Sequence, residues 1–271
     1  MTTNAEGQTP PVQTSHRAVP DDNLAYPVRV YLKGSQGSGF FMATDEALYF
    51  ATAKHVLYNV RADGKLFDND LTLESYPADV NQLRSNVIAI DLAVVTATGA
   101  LKSHPTTDVA IIKIGKIEGG RFHAGPGITL KELAPEGIVG ASARDTAKKF
   151  DRVQISNDVY VFGYPNSIGL QQIPQIDQTR PLIRKGIVAG LNRKLRTIIL
   201  DCEVYPGNSG GLVLEVENAG FQRNYRVIGL VSEYVPFDNS RFGIAANPTV
   251  LNSGYSVVIP IDFVLELIEK T

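Results

Sequence analysis

A serine held between glycines is the strongest chemical signal in this chain. The segment Gly207-Asn208-Ser209-Gly210-Gly211 precedes the apolar run 212–214. Glycines adopt backbone conformations closed to other residues and let a substrate approach closely, and the amide N–H groups of such a turn can converge on a developing oxyanion. A hydroxyl also needs a neighbouring base to attack at neutral pH. The segment predicts a nucleophilic serine; an ordinary turn between strands is the alternative.

The order of the histidines along the chain separates the possible folds. All four of them (His16, His55, His104 and His123) precede Ser209. In α/β-hydrolases, where Gly-x-Ser-x-Gly forms a nucleophile elbow, the histidine follows the serine. That fold is therefore excluded, and an acyl hydrolase built on it becomes a weak hypothesis.

Two aspartates compete for the role of the acid. Asp108 follows the turn-like segment 103–107 and opens an apolar strand, whereas Asp91 lies inside an apolar run. Asp91 could instead cap a bend or pair locally. We therefore favour Asp108, which gives the order His55, Asp108, Ser209, the order of a chymotrypsin-like triad.

Several further segments occur in one consistent order around these residues. They are Gly37-Ser38-Gly39-Phe40, Ala53-Lys54-His55-Val56, Thr107-Asp108-Val109-Ala110, Phe162-Gly163-Tyr164-Pro165, Tyr205-Pro206-Gly207-Asn208-Ser209-Gly210-Gly211, Val227-Ile228-Gly229-Leu230-Val231-Ser232 and Val258-Ile259-Pro260. This ordered set resembles a trypsin-like serine peptidase of the chymotrypsin fold. It is most similar to the bacterial HtrA-like branch, here without a PDZ domain.

The resemblance implies a role for each residue of the site. His55 would accept the proton of Ser209, and Asp108 would orient the imidazole. The backbone N–H groups of Gly207 and Ser209 would form the oxyanion hole. The implied activity is that of a serine endopeptidase that acts on polypeptides without a metal or other cofactor. A catalytically silent domain that binds peptides or partners is the alternative.

The resemblance also places a substrate pocket near five residues: Glu203, Val204, Ser232, Tyr234 and Tyr255. Glu203 lies six residues before Ser209, where a trypsin keeps its acid. A buried carboxylate there would favour Lys or Arg at the cleaved bond through a charge-assisted contact. A solvent-facing or ion-paired Glu203 beside an apolar pocket is the alternative.

Composition limits the partners and the compartment. The chain has 271 residues, 44% of them hydrophobic, and a formal net charge of −2. This balance argues against a nucleic-acid or anionic-membrane partner, and no apolar run is long enough to span a membrane. Cys202 is the single cysteine, which suits a reducing compartment. The N-terminal residues lack the pattern of a signal peptide, so we expect a cytoplasmic protein; its oligomeric state is not predicted.

The hydrophobic pattern predicts an all-β fold of two antiparallel six-stranded β-barrels with a short C-terminal helix. We expect a flexible leader over residues 1–25 and one peptidase domain over 26–271. Within that domain, the expected parts are a first barrel over about 26–120, a connector over about 121–155, a second barrel over about 156–260 and a helix over 261–271. The pattern also predicts that 92–95 prolong a strand and that a short helix lies near 143–150.

Overall fold

The computed structural model describes residues 18–20, 22–79, 81–135, 137–165, 173–220, 222–238 and 250–271. Most of the expected leader, residues 1–17, lies outside this part of the chain. Residues 22–25 form a short helix, α1 (Asp22–Ala25), in which Ala25 is buried. The end of the expected leader is therefore packed against the first lobe.

The first lobe is one curled sheet of ten strands. They are β1 (Pro27–Leu32), β2 (Ser35–Ala43), β3 (Ala47–Thr52), β4 (Asp70–Ser75), β5 (Asn86–Asp91), β6 (Leu101–Ser103), β7 (Ala110–Glu118), β8 (Arg121–Ala124), β9 (Ile128–Glu132) and β10 (Ala141–Ser142). The main path runs β6-β7-β3-β2-β1-β4-β5-β9, with β8 beside β7 and β10 beside β2. Ten strands stand where six were expected; three of them, β8, β9 and β10, lie in the segment predicted as a connector, and the other seven precede it.

Two short helices interrupt the first lobe. The first, α2 (Lys54–Leu57), follows β3 and buries Val56 and Leu57. The second, α3 (Leu92–Ala97), follows β5 directly. The prediction that residues 92–95 prolong a strand is therefore wrong. The chain turns into a helix there because the Asp91 carboxylate accepts the N–H groups of Ala93 and Val94, which caps the first helical turn.

The second lobe is a closed antiparallel barrel of six strands. They are β11 (Asp158–Gly163), β12 (Leu182–Asn192), β13 (Thr197–Asp201), β14 (Leu212–Ala219), β15 (Gln222–Asp238) and β16 (Val250–Pro260), joined in the order β11-β12-β13-β16-β15-β14. The helix α4 (Asp262–Ile268) follows the last strand. The predicted all-β fold of two antiparallel lobes with a short C-terminal helix is thus confirmed.

The segment between the lobes differs from the prediction of a helix near 143–150. Ala147 forms a β-bridge with Val227, and Lys148 N–H donates to the Val227 carbonyl oxygen at 2.9 Å. These backbone groups pair with the second lobe and cannot also form helical hydrogen bonds. Only a single 3₁₀ turn, Phe150–Arg152, is helical in this segment.

A shared apolar core fixes the two lobes against each other. The larger cluster of buried side chains contains Phe40 and Phe41 of the first lobe together with Phe162, Leu212 and Leu214 of the second. A separate cluster rich in valine fills the second barrel. Close packing of this kind resists sliding between elements. Residues that reach the interface from either lobe are therefore held at fixed positions.

Candidate active site

His55 projects from the short helix α2 into the cleft between the lobes. The buried side chains of Val56 and Leu57 anchor that helix to the first lobe. The His55 side chain is 35% exposed, so one side of the ring is open to a substrate. The cleft has a volume of about 720 Å³ and is also lined by Asp108 and Ser209.

Asp108 holds His55 at two points. Its Oδ2 lies 2.7 Å from His55 Nδ1, and its Oδ1 accepts the His55 backbone N–H at 2.9 Å. The second bond fixes the main chain that carries the ring. A carboxylate on Nδ1 favours the tautomer with the proton on that nitrogen, which leaves the Nε2 lone pair free to accept a proton.

Ser232 of the second lobe completes the surroundings of this carboxylate. Its hydroxyl donates to Asp108 Oδ2 at 2.7 Å. Burial by itself would raise the pKa of Asp108, but the hydrogen bonds and charge of His55, with the Ser232 hydroxyl, hold the pKa below its usual value. Asp108 is therefore a stable anion. The sequence predicts Ser232 in a pocket wall and does not indicate its contact with Asp108.

The competing aspartate lies elsewhere. Asp91 is exposed at the N-terminus of α3, where it caps the helix through Ala93 and Val94. The structure brings Asp108, and not Asp91, to His55.

Ser209 lies on a turn that only glycine allows at two positions. Gly207 and Gly210 have φ angles of +95° and +83°, in the left-handed region. A Cβ at Gly210 would lie 2.1 Å from the Ser38 carbonyl oxygen, which is far inside a van der Waals contact. The turn is thus packed directly on the first lobe, on the edge of the cleft that holds His55.

The hydroxyl of Ser209 donates to the Ser232 carbonyl oxygen at 3.2 Å and makes no hydrogen bond to His55. The two backbone N–H groups predicted to form the oxyanion hole are available to a substrate. Within the described part of the chain, the backbone N–H groups of Gly207 and Ser209 donate to no acceptor. Two N–H groups without partners beside a hydroxyl can receive the negative charge of a tetrahedral intermediate.

The five predicted pocket residues divide into two groups. Val204, Ser232 and Tyr234 line the cleft, whereas Glu203 and Tyr255 do not. The Glu203 carboxylate accepts the Tyr205 hydroxyl at 2.7 Å and lies 3.9 Å from the guanidinium of Arg184. Tyr255 is exposed on β16. The structure thus places Glu203 in a surface ion pair, which is the alternative that the sequence left open.

Other candidate groups are unreactive or do not assemble. Cys202 is buried, and burial raises the pKa of its thiol to about 11, so it is not a second nucleophile. No cluster of His, Cys, Asp or Glu in the described ranges could hold a metal ion. Among the helices described, none is long and apolar enough to cross a membrane.

A family model described as "Trypsin-like peptidase domain" matches residues 37–220. A serine endoprotease from Yersinia pestis is 16% identical with a TM-score of 0.50, over 91% of this chain and 62% of that one. The HtrA-type protease AlgW with tripeptide is 18% identical with a TM-score of 0.52, over 91% of this chain and 60% of that one. A search of curated proteins gave no match.

The structural neighbours show the fold, and this chain spans less than two thirds of the length of either. The family match covers about two thirds of the chain and includes His55, Asp108 and Ser209. The chain belongs to the trypsin-like peptidase domain family.

Proposed function

We propose that this protein is a serine endopeptidase that cleaves polypeptides through an acyl-enzyme, with His55, Asp108 and Ser209 as its catalytic triad and residues 26–271 as the peptidase domain. The observation that carries the proposal is the 2.7 Å contact between His55 Nδ1 and Asp108 Oδ2, with Ser209 in the same cleft. This contact prepares Nε2 to act as a base.

The first half of the reaction forms the acyl-enzyme. A rotation of the Ser209 side chain away from the Ser232 carbonyl brings Oγ toward His55 Nε2. Oγ attacks the substrate carbonyl carbon while Nε2 takes its proton, and the carbonyl oxygen becomes an anion near the N–H groups of Gly207 and Ser209. The C–N bond then breaks, and the imidazolium gives its proton to the leaving amine.

The second half regenerates the enzyme with water. His55 takes a proton from the water, whose oxygen attacks the acyl carbon, and the proton returns to Ser209 Oγ as the ester bond breaks. Asp108 stays ionised and stabilises the imidazolium in both halves. Every proton is thus transferred by one imidazole, and no cofactor enters the sequence of steps.

An apolar side chain at the cleaved bond is the preference that the cleft supports. Val204, Val231 and Tyr234 line it beside Ser209, with the exposed Glu233 in the same wall. The Glu203 carboxylate is engaged by Tyr205 and Arg184 outside the cleft. A peptide-library profile dominated by apolar residues before the cut agrees with this preference, and a profile dominated by Lys and Arg contradicts it.

An activity-based fluorophosphonate tests the proposed function. Wild type should be labelled and should cleave casein, and Ser209→Ala should do neither while keeping the melting temperature of the wild type. Circular dichroism establishes that both proteins are folded. A folded wild type that takes no label and cleaves nothing would instead indicate a peptide-binding domain without catalysis.

A further inference from the structure

The turn that carries Ser209 has nearly all of its peptide groups bonded. Asn208 N–H donates to the Tyr205 carbonyl at 2.9 Å, Gly210 N–H to Val231 at 2.7 Å and Gly211 N–H to Asn208 at 2.8 Å. Among the described residues, no acceptor faces the two remaining N–H groups of the turn, which are those of the proposed oxyanion hole. The carbonyl oxygens of Gly207 and Ser209 point the other way, and both accept from one residue of the first lobe.

That residue is Ser38, which is completely buried. Its hydroxyl donates to the Gly207 carbonyl oxygen at 2.6 Å, and its backbone N–H donates to the Ser209 carbonyl oxygen at 2.8 Å. The same hydroxyl accepts the Tyr164 N–H at 2.9 Å. The Ser38 carbonyl accepts the hydroxyl of Thr52 at 2.7 Å. The hydroxyl, the N–H group and the carbonyl oxygen of Ser38 thus all have hydrogen-bond partners, which fix the orientation of this residue.

The bond from the Ser38 hydroxyl acts on the peptide that matters most. The peptide between Gly207 and Asn208 lies between the two peptides that carry the open N–H groups. Ser38 holds its carbonyl, and Tyr205 holds its N–H. With both ends fixed, the peptide cannot rotate, so the separation and direction of the flanking donors are fixed as well.

We propose that Ser38 is a positioning residue for the oxyanion hole: its buried hydroxyl orients the turn from the opposite lobe without touching the substrate. The inference rests on the proposed peptidase function of Ser209. Donors aimed in advance at the developing charge cost no reorganisation during the reaction. The contact therefore makes the arrangement of the oxyanion hole depend on the packing of the two lobes.

Ser38→Ala is the direct test. It leaves the Gly207 carbonyl and the Tyr164 N–H without their partner, while the backbone bond from residue 38 to Ser209 remains. We expect kcat on a fluorogenic peptide chosen from the library profile to fall about 10²-fold, the size of losing one oxyanion donor. KM should change less than about twofold, because the effect falls on the transition state.

A matched pair of inhibitors separates positioning from general damage. A peptide aldehyde of the same sequence forms a hemiacetal whose oxygen occupies the oxyanion hole, and the corresponding peptide alcohol does not. Ser38→Ala should lower the affinity for the aldehyde by about the same factor as it lowers kcat, and it should leave the affinity for the alcohol unchanged. Ser38→Cys, with a weak donor of similar shape, should lie between wild type and Ser38→Ala, and it carries the test if the alanine variant does not fold.

Asn86→Ala is the control for stability. Asn86 is also buried and also bridges two backbone groups, accepting the Ala134 N–H at 2.7 Å and donating to the Gly137 carbonyl at 3.2 Å, but it lies in the first lobe outside the cleft. It should lower the melting temperature and leave kcat unchanged.

Unchanged kcat and aldehyde affinity in folded Ser38→Ala would overturn the inference, as would an equal loss in Asn86→Ala. If wild type itself takes no fluorophosphonate, the proposed function fails, whatever the variants do.

Discussion

The two halves of the site are bonded in opposite ways. In the first lobe, Asp108 is bound by the His55 ring, by the His55 backbone and by Ser232 of the second lobe. In the second lobe, the hydroxyl of Ser209 makes one long bond to a carbonyl, and two N–H groups beside it are open within the described residues. In the half around Asp108 the carboxylate is fully hydrogen-bonded, and we call it the saturated half; in the half around Ser209 the hydroxyl and the two N–H groups are left available, and we call it the open half.

This difference fits what each half would have to do in the proposed reaction. In that reaction the proposed acid and base would keep one geometry throughout, so bonds that fix them would cost nothing later. The nucleophile and the oxyanion donors must exchange their partners for the substrate. A strong internal bond at either of them would have to be broken in every turnover. In the second lobe, the hydrogen bonds that fix the turn are made instead by its carbonyl oxygens at Gly207 and Ser209, which both accept from Ser38.

Removing the nucleophile or the base should abolish the function of both halves together. We expect Ser209→Ala and His55→Ala each to lower kcat on the order of 10⁶-fold, with no further loss in the double variant, because the two side chains act as one unit. Peptide cleavage measured with purified, folded proteins checks this. Additive losses would show that the two halves work independently.

Replacing the saturated carboxylate should have the next largest effect. Asp108→Asn is expected to lower kcat about 10⁴-fold, because an amide donates to Nδ1 and favours the wrong tautomer of His55. Asp91→Asn is the matched control, since asparagine also caps a helix and Asp91 lies at α3. Steady-state kinetics of the two variants should differ by the whole factor; equal activities would contradict the assignment of the acid.

Distorting the open half at Gly207 should have a smaller effect. Gly207→Ala places a side chain where φ is +95°, which strains the backbone and turns the N–H away from the oxyanion. A loss of about 10²–10³-fold in kcat is expected, as for the loss of one such donor.

The control for this strain is Gly119→Ala. Gly119 has φ +57° with no atom within 4 Å of an added Cβ, and it lies between β7 and β8. It should lose stability without losing turnover. A similar loss of kcat in both variants would attribute the effect to general backbone strain.

Ser232→Ala removes one bond from the saturated half. We expect kcat/KM to fall about tenfold, the size of a charge-assisted hydrogen bond that is partly replaced by water. Its specific signature is the acid stability of the protein. The pKa of Asp108 is lower in the folded protein than its usual value. The ionised carboxylate therefore contributes fully to the free energy of unfolding above the ordinary carboxyl pKa, and this contribution is lost as the pH falls through the pKa of the folded state.

Removing the Ser232 hydroxyl raises the pKa of Asp108 in the folded state and brings it closer to the ordinary carboxyl pKa, so Asp108 contributes less to the pH dependence of stability. Urea unfolding from pH 5 to about pH 2 should therefore show a smaller loss of stability in Ser232→Ala than in wild type. Ser253→Ala is the control, since the Ser253 hydroxyl donates to the neutral Val235 carbonyl at 2.6 Å. It should lower the unfolding free energy by the same amount at each pH.

The local motifs were enough to predict the all-β fold and to single out His55, Asp108 and Ser209, which line one cleft, but they also placed Glu203 and Tyr255 there, and these two do not line it. They failed where a single side chain changes the local choice. Residues 92–95 contain two valines and resemble a strand, but the Asp91 cap turns them into a helix. The weak propensities of a short segment are easily overruled by one cap.

The hydrogen bonds that Ser38 and Ser232 make between the lobes could not be predicted from the sequence. Ser38 is 169 residues from Gly207, and Ser232 is 124 residues from Asp108. A serine that donates to a distant backbone carbonyl leaves no periodicity or spacing in the sequence, because every residue has such a carbonyl. Only the packed structure identifies these partners, and they distinguish the saturated half from the open one.

The smallest expected effect concerns Glu203, a saturated group outside the cleft. Its carboxylate is bonded to Tyr205 and lies near Arg184, so Glu203→Gln should leave the cleavage profile and kcat/KM within about twofold, as for most surface changes. Val204→Ala, which alters the cleft lining itself, should by contrast shift the profile toward larger apolar residues. Profiling both variants with one peptide library compares them directly. Weaker cleavage after Lys or Arg in Glu203→Gln than in wild type would mean that this carboxylate reaches the substrate. Glu203 would then belong to the open groups of the second lobe and not to the saturated ones.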